Sequence, residues 1–108
     1  MGIKAQRNNG AYFVQMEQMI GGKKQKVGKV YPRFIYPFFW NGYEFFAHKD
    51  GAFYSVTEKI SGMAIAQFRE KPNEAIADAL IKLEEAGVEK FKSILSRLTK
   101  AEGGHNEH

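Results

Sequence analysis

The chain contains no cysteine, which removes a disulfide framework and a thiol nucleophile from consideration and fits a reducing cytoplasm. It also lacks any run approaching the ~18 apolar residues of a membrane-spanning helix. The opening MGIKAQRNNG has no apolar core of the kind a signal peptide needs. A cytoplasmic protein with no membrane partner is therefore expected. A third absence is local. Between Gln18 and Tyr43 there is no acidic residue, and such a gap in one sign of charge points to a polyanionic partner or to lysine protection of a sheet edge.

The net charge of +4 conceals this asymmetry: residues 1–43 carry seven Lys and Arg against Glu17 alone, whereas residues 44–108 carry nine basic and eleven acidic side chains. A length of 108 residues predicts a single domain, and the apolar content is sufficient for one core without metal or cofactor. Residues 1–102 are read as that domain, and GGHNEH, residues 103–108, as a disordered tail.

Turn chemistry organises the chain. AYFVQMEQMI and KQKVGKVY flank Gly21-Gly22, a pair that accepts the positive φ of a tight hairpin. A two-residue turn there sets Ile20 opposite Lys23, Glu17 opposite Lys26 and Met16 opposite Val27. YEFFAHK and AFYSVTE flank Asp50-Gly51, predicting a second hairpin that pairs Ala47 with Tyr54 and Phe45 with Val56. MAIAQF then supplies a meander strand beyond a 59–62 loop, with Ile65 beside Val56. Pro72 suits a first helical position. Ala75, Ile76, Ala79, Leu80 and Leu83 recur at helical spacing, Gly87 suits a helix end, and Val88, Phe91, Ile94, Leu95 and Leu98 form a second stripe. The fold class is α+β: an antiparallel sheet of about five strands, made of two hairpins and a third meander strand, with one or two C-terminal helices packed on one face.

The run FYSVTEKISGMAIA followed by KPNEAIADAL resembles small uncharacterised proteins of phages and mobile elements, in which an aromatic strand ending Val-Thr-Glu, a Ser/Thr-Gly turn, an apolar strand and an Ala-rich helix occur together. The resemblance covers Phe53 to Leu83. It departs from that pattern at Lys71-Pro72-Asn73, where a Ser or Thr cap is expected. It implies a genomic setting, with the cytoplasm of a bacterial host as the location, and brings no catalytic residue with it.

Chemistry-bearing motifs are few. GGKKQKVGK is one residue too long for a phosphate loop, and Val30 stands where Ser or Thr would bind magnesium. His48, His105 and His108 do not form a closed metal set, and no nucleophile motif accompanies His48. Asp50 is accounted for by its turn, and Glu44 and Glu58 by solvent-facing strand ends. No enzyme activity, metal or cofactor is expected.

The distinctive stretch is YPRFIYPFFWNGYEFF, where eight of the fifteen aromatic residues fall between Phe34 and Phe46. Alternate strand side chains point to opposite faces, so one layer cannot bury them all. Pro32 and Pro37 argue for a rigid connection rather than a central strand, and a small core between the N-terminal hairpin and the sheet would account for part of the cluster. The functional expectation is non-catalytic binding of single-stranded DNA or RNA, with Lys23, Lys24, Lys26, Lys29 and Arg33 on phosphates and Tyr36, Phe39 and Trp40 stacking on bases. Phe46, Phe53 and Phe68 offer further platforms on the sheet. The alternative is a protein-binding module, such as an inhibitor of a host factor, or a structural homodimer, docked through Phe34, Tyr36, Phe38, Phe39 and Trp40.

Overall fold

The structure, a computed structural model, describes residues 4–104, with side chains as far as Arg97. It is α+β. Seven strands, β1 (Gln6–Arg7), β2 (Val14–Ile20), β3 (Lys23–Val30), β4 (Phe34–Trp40), β5 (Tyr43–Asp50), β6 (Phe53–Glu58) and β7 (Ala64–Arg69), precede α1 (Pro72–Ala86) and α2 (Val88–Gly104). A five-stranded antiparallel sheet has the order β1-β4-β5-β6-β7, and β2 pairs with β3 alone in a separate two-stranded sheet. The N-terminal hairpin is thus an arm and not part of the main sheet. The expected tail falls partly on residues 105–108, outside the described residues, while the α2 backbone continues through Gly104.

Three tight turns set the registers. Gly21 and Gly22 both have positive φ (60° and 81°), as do Asn41 and Gly42 (51° and 81°), the requirement of a type I′ turn. Ile20 pairs with Lys23 and Glu17 with Lys26 as expected, but a bulge between Met16 and Glu17 sets Met16 against Gly28 instead of Val27. In the next hairpin the turn is Gly51-Ala52, not Asp50-Gly51: Asp50 pairs with Phe53, and Ala47 with Val56. Only Gly51 has positive φ (66°), so glycine occupies the first central position of a type II′ turn. A shift of two residues preserves the faces, because side chains alternate with period two. A further bulge moves Ala66 opposite Val56, where Ile65 was expected.

Residues 34–40 form a strand despite Pro37. β1 pairs with Phe34 and Ile35, so among the described residues β4 is an edge strand from Tyr36 onward, where a missing backbone donor is tolerated. The following Asn41-Gly42 turns the chain directly into β5, which makes the aromatic block a hairpin instead of a connection.

Alternation then sorts the rings. Tyr36, Phe38, Trp40, Tyr43 and Phe45 face the helices. Phe91 of α2 enters this set, with ring centroids 4.8 Å from Tyr43, 5.6 Å from Trp40 and 5.6 Å from Phe45. Ala47, Val56 and Ala66 meet Ala75, Ile76, Ala79 and Leu83 of α1 in the same core. Most of the aromatic core therefore lies between sheet and helices, and the small core expected between the N-terminal hairpin and the sheet is reduced to Phe46 beneath Tyr12. Pro72 opens α1 without a side-chain cap, and Gly87 separates the two helices at φ 87°.

The opposite face is closed by the segment before β2. The Tyr12 ring packs edge-on against fully buried Phe46 at 5.2 Å. Asn8 Nδ2 donates to the carbonyls of Tyr12 and Pro32, and Gln15 N–H donates to Gly62 O at 3.1 Å. Glu58 is also buried, contrary to its expected solvent-facing position. Its carboxylate accepts from the Ile60 and Ser61 N–H groups and from the Ser61 hydroxyl, holding the loop that receives Gln15.

Candidate nucleic-acid interface

The arm presents its charge because it has so little behind it. Every residue of β3 is exposed, and the molecule measures 49 Å along its longest axis against 30 and 28 Å across. Lys23, Lys24, Lys26 and Lys29 lie along β3, with Glu17 the single acid on the opposing strand. Strand alternation divides these lysines between the two faces. Lys29 is further fixed at the arm's base, its Nζ 4.4 Å from the Phe13 ring centroid, a cation-π arrangement. Tyr31 meets Phe13 with ring centroids 6.4 Å apart.

Beyond the base, the chain enters an open groove of about 460 Å³ lined by Pro32, Arg33, Phe34, Tyr36, Lys49 and Tyr54. Phe34, Tyr36, Lys49 and Tyr54 sit on the helix side of the sheet at its uncovered end. Tyr36 and Tyr54 meet edge to face at 6.1 Å. Burial, followed by the charge and hydrogen bond of Tyr54, raises the pKa of Tyr36, so its hydroxyl remains a neutral donor at physiological pH. Phe34 is 49% exposed, and the Arg33 guanidinium lies 6.0 Å from its ring centroid.

The expected stacking set is divided by this arrangement. Arg33, Phe34 and Tyr36 come together in the groove. Phe39 is 67% exposed on the opposite face of β4. Phe38 stacks on Phe45 at 5.5 Å and is a core residue. Trp40 is not a platform: it is 7% exposed, and its indole is consumed by contacts to Phe45, Phe91 and Glu84. Phe46 is fully buried under Tyr12, whereas Phe53 and Phe68 remain exposed and in mutual contact at 6.4 Å. Sequence reasoning missed Lys49 and Tyr54 as groove residues, and the only signal available was their position on a hairpin whose register had to be known first.

A second cleft, of about 510 Å³, lies between the arm and the body, with Met16, Met19 and Lys24 on one side and Met63, Ala64 and Gln67 on the other. Glu17 and Asp50 also line it, so its charge is mixed. On the face closed by Tyr12, the Tyr12 hydroxyl donates to Glu44 Oε2, and Lys59 pairs with Glu44 Oε1 at 3.2 Å while lying 4.7 Å from the Tyr12 ring centroid. Burial and the adjacent Glu44 carboxylate push the Tyr12 pKa up to about 12. This trio locks the N-terminal segment onto the sheet. His48 is buried, with Nε2 2.8 Å from Thr57 Oγ1, and burial lowers its pKa.

Among the described residues, no group of three or more His, Asp and Glu side chains is placed to hold a metal ion, and no helix is long and apolar enough to cross a membrane. His105 and His108 lie outside the described residues. Comparison with protein-family models, with curated proteins and with solved structures finds no match.

Proposed function

We propose that the chain is a non-catalytic binding protein for single-stranded DNA or RNA, gripping the phosphate backbone with its arm. The observation that carries this reading is the disposition of Lys23, Lys24, Lys26 and Lys29 on a two-stranded ribbon that contributes almost nothing to the core. Lysines on an element free of packing duties can follow a polyanion. Each phosphate neutralised releases condensed counterions, which is the source of the affinity. Arg33 extends the basic track toward the groove at the arm's base. The resemblance to phage and mobile-element proteins suggests a setting in which single strands are common.

A second reading, docking of a protein, is favoured by one observation on the same arm: Met16, Met19, Ile20, Val27 and Val30 are all substantially exposed. Such side chains normally seek cover.

Salt separates the two. Fluorescence anisotropy with a labelled single-stranded oligonucleotide, at several salt concentrations, should give a log-log slope that falls by roughly 3 when all four arm lysines become alanine, at about 0.7 per lost contact. Absence of binding at low salt would remove the nucleic-acid reading and leave the protein-docking one.

A further inference from the structure

We propose that the groove formed by Arg33, Phe34, Tyr36, Lys49 and Tyr54 receives one unstacked nucleobase together with an adjoining phosphate. This inference rests on the reading of the chain as a single-strand binder and gives that reading a base-holding site distinct from the arm.

The groove has the composition that such an occupant needs. Its volume of about 460 Å³ falls within the range of small-ligand pockets, roughly 300–1,000 Å³. Three rings supply apolar surface, and Phe34 is sufficiently exposed to present its face. Bases stack on such rings whatever their sequence, because every base has a π face. Among the described residues, Arg33 and Lys49 are the charged side chains of the lining, and both are cationic. An anion is therefore favoured beside the rings. A purely apolar side chain from a protein partner would use the rings and leave the cations idle.

Two further features fit a nucleotide. Tyr54, accepting from the neutral Tyr36 hydroxyl, keeps its own O–H to donate to a base edge or to a phosphate oxygen. Connectivity also matters: Arg33 follows β3 by three residues, so a strand tracking the arm lysines is led toward the groove. A base paired within a duplex cannot offer its face without being unstacked. The groove accordingly selects single strands, whereas the arm alone binds any polyphosphate.

The test compares two labelled oligonucleotides of equal length and phosphate count, one of thymidines and one of abasic residues, by anisotropy at low salt. Wild-type protein should bind the thymidine strand about tenfold more tightly or better, the scale of a single base–ring stack. Phe34→Ala should shrink that ratio to within about threefold, and the four-lysine alanine variant should weaken both strands while preserving the ratio. Lys49→Gln, an exposed change that leaves all rings in place, should weaken the thymidine strand more than the abasic one.

Equal wild-type affinities for the two strands would overturn the groove proposal and leave the arm reading standing. A ratio undiminished in both Phe34→Ala and Lys49→Gln would also overturn it, assigning stacking elsewhere, with exposed Phe53 and Phe68 as the next candidates. Failure of both strands to bind would overturn both readings. Coincident thermal melts of the variants and wild type confirm that the comparison is made on folded protein.

Discussion

Trp40 donates its indole N–H to Glu84 Oε2 at 2.7 Å, a bond that crosses from the last residue of β4 to the last turn of α1. The ring is buried against Phe45 and Phe91, whereas Glu84 is exposed. Removing the ring and removing the bond should therefore have different consequences. Trp40→Ala should destabilise the fold by about 3–5 kcal/mol through the cavity it leaves. Trp40→Phe should cost less, because Glu84 can return to water. Urea denaturation of the two variants checks the order, and nucleic-acid affinity measured on folded Trp40→Phe should be close to wild type.

Gly62 is the point where the N-terminal segment touches the loop after β6. It has φ 72°, and a Cβ there would lie 2.6 Å from Phe13 Cε2 and 2.9 Å from the Gln15 nitrogen. Gly51 has a similar φ of 66° but open space around it. Gly51→Ala should cost only the backbone strain of a positive φ, about 1–3 kcal/mol. Gly62→Ala should add an overpacking penalty of about 1–3 kcal/mol. Urea midpoints should fall in the order wild type, Gly51→Ala, Gly62→Ala.

Much of the fold was legible because turn chemistry and periodicity agree. The meander through β5, β6 and β7, the helix start at Pro72 and the break at Gly87 all follow from local rules. What escaped was tertiary in origin. Pro37 argued against a strand because its tolerance depends on β1 being too short to reach it, and that fact lies thirty residues away. Trp40 looked like a platform because a residue's face is fixed only once the Asn41-Gly42 turn is recognised, and that dipeptide is itself a hairpin signal. Glu58 looked like a solvent-facing strand end because nothing in Val-Thr-Glu reveals that its carboxylate turns back onto Ile60 and Ser61.

His48 should make stability depend on pH. Its folded pKa lies below the ordinary 6.5, chiefly because burial disfavours the charged ring, with the Lys49 carbonyl and Asp50 opposing. The unfolded chain then binds the proton more readily. The contribution to stability is complete above the unfolded pKa and declines as the pH falls through 6.5 toward the folded value. Asp78, whose pKa is held low because Arg69 and Lys82 outweigh its burial, acts only at lower pH, in the carboxylate range. Melting temperature should therefore drop between pH 7.5 and pH 5.5, and His48→Gln should flatten that drop. An unchanged drop in the variant would reassign the effect to another group.

The arm should be the most labile ordered element. A two-stranded ribbon without a buried face is marginally stable in water, and Phe13 and Gln15 anchor it to the body at its base. Hydrogen exchange followed by mass spectrometry should show amides of residues 16–28 exchanging well before those of β5 and β6. A saturating single-stranded oligonucleotide should slow them.

Pro37 has a consequence for how copies of this chain behave at high concentration. A sheet edge with a full row of backbone donors and acceptors is a template on which an identical edge can zip, and aggregation starts from such templates. Between Tyr36 and Trp40 no described strand pairs with the outer edge of β4, which is aromatic and otherwise suited to that fate. The missing N–H at Pro37 interrupts the row in its middle, so the residue that seemed out of place in a strand is the one that keeps the strand from recruiting another.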